Sequence, residues 1–231
     1  MIALMRPPAI IIRCVLVVLL AIAFGYIEAA VVVYLREIFH PDGFIFPLAQ
    51  FPLTGQTSRL LFTEVAREAA TLVLIIAGAW LSGKNSRQRF AFFMIIFALW
   101  DIFYYVFLKL ILDWPASIMD WDVLFLIPVP WAGPVLAPVL VSVMMLVFAG
   151  FILYRDYTGK IVKLTLWEWL CFSASIILII ISFCIAGQYM AQPDYLRHFS
   201  WALFLTGLFF GGALFAKGIY KKAPRFNPGA K

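Results

Sequence analysis

Phe62-Thr63-Glu64-Val65-Ala66-Arg67-Glu68-Ala69-Ala70-Thr71 runs without a break into the apolar stretch 72–81. Read as one helix, it is long enough to cross a bilayer, yet three ionisable side chains sit inside it. Each charge near mid-bilayer costs about 2.5–3.5 kcal/mol on insertion scales, so an uncompensated trio costs on the order of 8–10 kcal/mol. These groups must be paired, protonated, ligand-bound or turned toward water. The remainder of the chain is read for which of these holds.

Composition makes the chain an integral membrane protein. Of its 231 residues 65% are hydrophobic and 13% charged, with a mean hydropathy of +0.98. A soluble domain is nearer 45–50% apolar and about 25% charged. The length allows one bundle and no sizeable soluble domain, so residues 1–231 are read as a single transmembrane domain. The formal charge of +6 is spread between apolar spans as a topology signal, which excludes a nucleic-acid partner. Cys14, Cys171 and Cys184 all fall in apolar runs and read as small buried hydrophobes, with neither disulfide nor metal spacing.

Six apolar spans are expected, at roughly 10–35, 59–82, 89–111, 134–154, 168–190 and 197–217. Arg6 and Arg13 before the first, with Ala21 and Ala23, resemble a signal peptide, but the apolar run continues to Leu35 and is read as a retained helix. Lys and Arg alternate with acids from link to link. Arg6 and Arg13, then Lys84, Arg87 and Arg89, then Arg155, Lys160 and Lys163, then the basic tail 218–231 mark one side. Glu37 and Asp42, then Asp113, Asp120 and Asp122, then Asp194 mark the other. Both termini are therefore expected in the cytoplasm.

Two outer links carry further expectations. Residues 40–48 mix turn formers with aromatics and read as an extended lid on the membrane surface. Residues 115–126 read as a short interfacial helix, followed by the Pro-rich break 128–134 that no helix can cross. Pro134 suits the first turn of the fourth span, and Pro138 is expected to strain or kink it. Trp114, Trp121 and Trp131 fit an outer aromatic belt. The last two spans carry no ionisable residue inside. Ser173, Ser175 and Ser182 are expected to bond back to helical carbonyls, and Gly207, Gly211 and Gly212 to permit close packing.

Phe24-Gly25-Tyr26-Ile27-Glu28, the stretch 64–71, Trp100-Asp101-Ile102-Phe103-Tyr104-Tyr105 and Ile127-Pro128-Val129-Pro130-Trp131 together resemble a bacterial multipass membrane family with no assigned activity. The likeness covers roughly 24–145. It implies a bacterial inner-membrane location and supplies no catalytic role.

The candidate site is built from depth and facing. At 1.5 Å per residue, Glu28, Glu68 and Asp101 all fall roughly 12–13 Å below the outer end of their spans, and Glu64 about 8 Å below. Glu64, Arg67 and Glu68 share one helix face, which Thr71 extends; Asp101, Tyr105 and Lys109 make a second polar stripe. Four acids face only Arg67 and an interfacial Lys109, so at least two carboxyl groups lack a basic partner. Glu28, Glu64, Arg67, Glu68, Asp101 and Tyr105 are thus the candidate ligand-binding or proton-relay residues. Glu64 and Glu68 would exchange, Arg67 would be the fixed counter-charge, and Glu28 and Asp101 the walls. The same network can also be structural glue between helices.

Other chemistry is weaker. His40 and His198 lack metal or haem spacing, and no phosphate loop, nucleophile elbow or His-Glu-x-x-His helix occurs. No metal is assigned, and the cofactor and any catalytic residue stay open. The sequence therefore points to an all-α, six-span bundle that binds or relays a proton, cation or small polar ligand. A non-catalytic subunit or assembly factor of a membrane complex, and an enzyme acting on a lipid head group, are the alternatives. The bilayer is the expected environment, and another membrane protein a conceivable partner.

Overall fold

The computed structural model describes residues 7–40, 43–48, 54–159 and 165–220. Arg6, Asp42, Lys160, Lys163 and the tail beyond 220, all used in the orientation argument, lie outside the described residues, as does most of the basic tail 218–231. Six long helices account for most of the rest: α1 (Pro7–Phe39), α2 (Gly55–Ser82), α3 (Ser86–Leu112), α4 (Leu136–Tyr157), α5 (Leu166–Gln188) and α6 (Trp201–Tyr220). By length and composition, five segments are apolar enough to cross a membrane: 11–39, 86–112, 136–157, 166–188 and 195–217. The chain is a multipass membrane protein. α2, with Arg59, Glu64, Arg67 and Glu68 in its first half, is not among the five.

Helix starts are where local chemistry supplies acceptors for the orphan N–H groups. Thr54 caps α2 and forms a reciprocal capping box with Thr57. Asn85 caps α3 by accepting from the Gln88 N–H at 3.0 Å. Thr165 and Glu168 form a second capping box at α5, which explains the acid at that helix start. α3 ends at Asp113, whose φ of 52° is left-handed, a conformation Asp tolerates better than most residues.

α3 is the hub. It packs against α1, α2 and α4, while α5 and α6 pair with each other and join the rest through the strand Trp131–Pro134 and α4. One apolar cluster joins α1, α2 and α3 through Val17, Ala21, Ile75, Phe92 and Ile96. A second joins α3 to α4 through Ala91, Met94, Phe148 and Ala149. Gly25 lets α1 approach α3 closely, since a Cβ there would stand 2.9 Å from the Trp100 carbonyl oxygen. Gly207 does the same for α6 on α5, 2.8 Å from the Ser175 carbonyl oxygen. Ser182 bonds back to the Ile179 carbonyl as expected, but Ser175 donates across to the Gly207 carbonyl of α6 at 2.5 Å.

The link between α3 and α4 differs from expectation. Residues 115–126 do not form an interfacial helix. They make a turn and then β1 (Trp121–Phe125), which pairs antiparallel with β2 (Trp131–Pro134). The prolines at 128 and 130 punctuate a hairpin tip, and Trp121, Val123 and Phe125 supply aromatic and β-branched strand formers at alternate positions. Pro138 lies near the start of α4. It occupies the first turn, where its missing N–H would have had no partner.

The hairpin slants into the bundle. It meets α5 at the last turn, where Gly187 lies directly against the Pro130 carbonyl and Trp131 stacks on Phe183. It meets α3 at Trp100, roughly 18 Å in from Leu112, and α2 at Glu68, roughly 20 Å in from Gly55. Trp121 is buried at 6% exposure among Phe46, Tyr195 and Phe199, so it belongs to the core and not to an aromatic belt. The segment 43–48 is likewise no free surface lid. Phe46 plugs into that aromatic cluster, and the Leu48 N–H donates to the Met190 carbonyl at 2.9 Å.

Candidate functional site

A cavity of about 730 Å³ occupies the middle of the bundle, walled by α1 to α5 and the hairpin. Glu28, Glu64, Arg67, Glu68, Asp101 and Tyr105 all line it. On α3 the lining runs from Phe90 through Phe97 and Asp101 to Tyr105 at three- and four-residue spacing, a stripe roughly 22 Å long. The cavity thus has a polar region near the hairpin and an apolar, aromatic extension toward the other ends of α3, α4 and α5.

Within the polar region the residues separate into four small groups. Arg67 is a clamp between helices. Its Nη1 donates to both Glu28 carboxylate oxygens at 2.6 Å, and its Nε and Nη2 donate to Glu64. Thr71 donates a longer bond of 3.5 Å to Glu28. This is a closed network stapling α1 to α2, with the guanidinium fork fully used on two carboxylates.

Glu68, the next residue after Arg67, makes no ion pair with it. One of its oxygens accepts the Leu126 N–H at 2.8 Å, which satisfies a backbone donor at the hairpin tip that would otherwise be stranded. Asp101 stands on the facing helix, 9% exposed, and one oxygen accepts from the Ser142 hydroxyl of α4 at 2.7 Å. Neither Glu68 nor Asp101 has a basic side chain within ion-pair distance among the described residues. Lys109 does not join them; it turns outward and pairs with Asp113 at 2.7 Å. That exposed pair holds the Asp113 carboxyl below the usual range, through the hydrogen bond and charge of Lys109.

The fourth group escaped the sequence reading. Arg36 donates to Asp122 at 2.9 Å, the two side chains being 7% and 2% exposed. Its guanidinium lies between the Phe44 and Trp114 rings, at 4.0 and 3.8 Å from their centroids. Tyr104 donates to the other Asp122 oxygen at 3.1 Å, and the Tyr105 hydroxyl is buried beside the same carboxylate without a bond of good geometry. Burial pushes the Asp122 carboxyl above its ordinary range, with the Arg36 charge pulling the other way. The sequence reading has Asp122 as an acid of the outer link and makes no use of Arg36. Only the hairpin, which carries Asp122 inward, brings them together. An acid between two aromatics in a turn-rich link is a faint signal of an inward strand, and it is legible only once the hairpin is known.

His198 stacks on Tyr189 at 3.6 Å and contacts Asp194 at 3.2 Å, while His40 lies against Phe44. Among the described residues no group of three or more His, Cys, Asp or Glu is arranged to hold a metal ion. The three cysteines are free and half-buried. No family model, curated protein or solved structure matches the chain.

Proposed function

We propose that this protein binds a lipid-soluble molecule inside its bundle, with the polar end of that molecule beside Glu68 and Asp101. The observation that carries the reading is the cavity. It is of the size that ligand pockets take, and most of its wall is apolar or aromatic with a few convergent polar groups at one end. A proton or small inorganic ion alone needs no such apolar volume, so the small-ligand reading widens to an amphipathic one. Arg67, Glu28 and Glu64 act chiefly as the brace that fixes α1 and α2 around the site. Glu68 and Asp101, each lacking a base, are the groups that meet the ligand. α2 is a sixth span, its charges directed at the cavity and at α1. In this reading both termini lie in the cytoplasm of a bacterial inner membrane and the hairpin end faces outward; the alternation of basic and acidic links supports the orientation.

The test uses a neutral probe. A brominated dodecanol titrated into the detergent-purified protein should quench tryptophan fluorescence saturably, because Trp100 and Trp131 line the cavity. Met145→Trp, which fills the apolar part, should abolish the saturable component. Quenching that rises linearly in both proteins, as from partition into detergent, overturns the reading.

A further inference from the structure

The ligand class follows from which charges on the cavity wall are already spent. Five carboxyl groups line it, Glu28, Glu64, Glu68, Asp101 and Asp122, against the two guanidiniums of Arg36 and Arg67. Arg67 is committed to two acids; Arg36 is committed to Asp122 and two ring faces, and its Nη1, which has no hydrogen-bond partner, is buried away from open space. An anionic head group such as a phosphate would find no free base here and would meet excess negative charge.

A second observation points the same way. The Asp101 oxygen that does not bind Ser142 accepts from no described residue, although the side chain is more than nine-tenths buried. It is not among the buried atoms cut off from open space, and Asp101 lines the cavity, so that oxygen faces it. Glu68 leaves one oxygen in the same condition. Around them Phe97, Trp100, Phe125 and Trp131 form a chain of rings whose neighbouring centroids are 5.4, 6.0 and 5.6 Å apart. Free carboxyl oxygens beside aromatic faces are what an organic cation requires: charge for charge at the acids, and ring quadrupoles for the apolar groups around it.

Building on the cavity reading above, we infer that the ligand is a lipophilic monovalent cation, an ammonium or phosphonium carrying apolar groups, held between Asp101, Glu68 and the Phe97–Trp131 ring chain. The probe pair is tetraphenylphosphonium and tetraphenylborate, matched in size and shape and opposite in charge. Equilibrium dialysis against purified protein should show one phosphonium bound per chain, at least about tenfold tighter than the borate. Asp101→Asn should weaken the phosphonium about tenfold or more while tetraphenylborate binding stays level or tightens, and a cooperative thermal transition in detergent reports that the variant is folded. Should that variant not fold, Glu68→Gln, which keeps an acceptor for Leu126, is expected to show the same selective loss. Equal affinity for the two ions, or phosphonium binding indifferent to both substitutions, overturns the inference. If dodecanol quenching persists in that case, the cavity stands and only the charge preference falls. If it too is absent, both readings fall.

Discussion

Arg36 and Asp122 show how much a single pair can hold. The two are 86 positions apart in sequence and nearly sealed from solvent, so removing either leaves the other buried without its opposite charge. Arg36→Met is expected to destabilise the protein by about 3–5 kcal/mol, measured as a lower thermal midpoint in detergent. The double substitution Arg36→Met with Asp122→Leu should recover part of that loss, because no lone charge then remains. A double variant no more stable than the single one would show that the pair does more than neutralise itself. Sequence reading named Glu28, Glu64, Arg67, Glu68, Asp101 and Tyr105 because helical spacing and depth are written in the chain. It missed Arg36 and Asp122 because their meeting depends on a non-helical link, whose path no helical periodicity encodes.

At the scale of elements, the hairpin is the feature with the most consequences. Its backbone lies where water is scarce, so its polar groups need partners from the bundle, and Glu68 supplies one. Glu68→Leu should destabilise by about 1–3 kcal/mol through the stranded Leu126 N–H, whereas Glu68→Gln should stay near the parent. Hydrogen exchange at Leu126 would separate the two, with protection lost only in the leucine variant. Gly187→Leu is expected to lift the hairpin from α5, because even a Cβ at that position overlaps the Pro130 carbonyl. A lower melting temperature and greater proteolysis near residues 128–130 would register it, and an unchanged profile would refute the contact. The helices themselves were legible: the apolar runs appear within a few residues of their expected limits, since a bilayer-length hydrophobic run has few other fates. The stretch 115–126 was not. Its pattern suits an interfacial helix as well as a strand, and the choice is made by β2, Trp100 and Tyr195 far along the chain.

For the whole molecule, orientation is the open proposition most directly tested. With the native cysteines replaced, Met119→Cys in the α3–α4 link should react with an impermeant maleimide in intact cells. Lys84→Cys, in the α2–α3 link, should react only after permeabilisation. The reverse pattern would put the hairpin end in the cytoplasm. The architecture also explains why α2 tolerates its charges. α1 offers Glu28, the hairpin offers Leu126, and Glu64, Arg67 and Glu68 all line the central cavity.

The bond between Leu126 and Glu68 spans 58 positions, and this bears on biogenesis. At synthesis rates of about 5–20 residues per second, Glu68 is made roughly 3–12 s before Leu126. Through that interval the nascent chain carries Glu68 without the backbone donor that it meets in the folded protein. A ribosome stalled shortly before residue 126 would capture that waiting state for crosslinking.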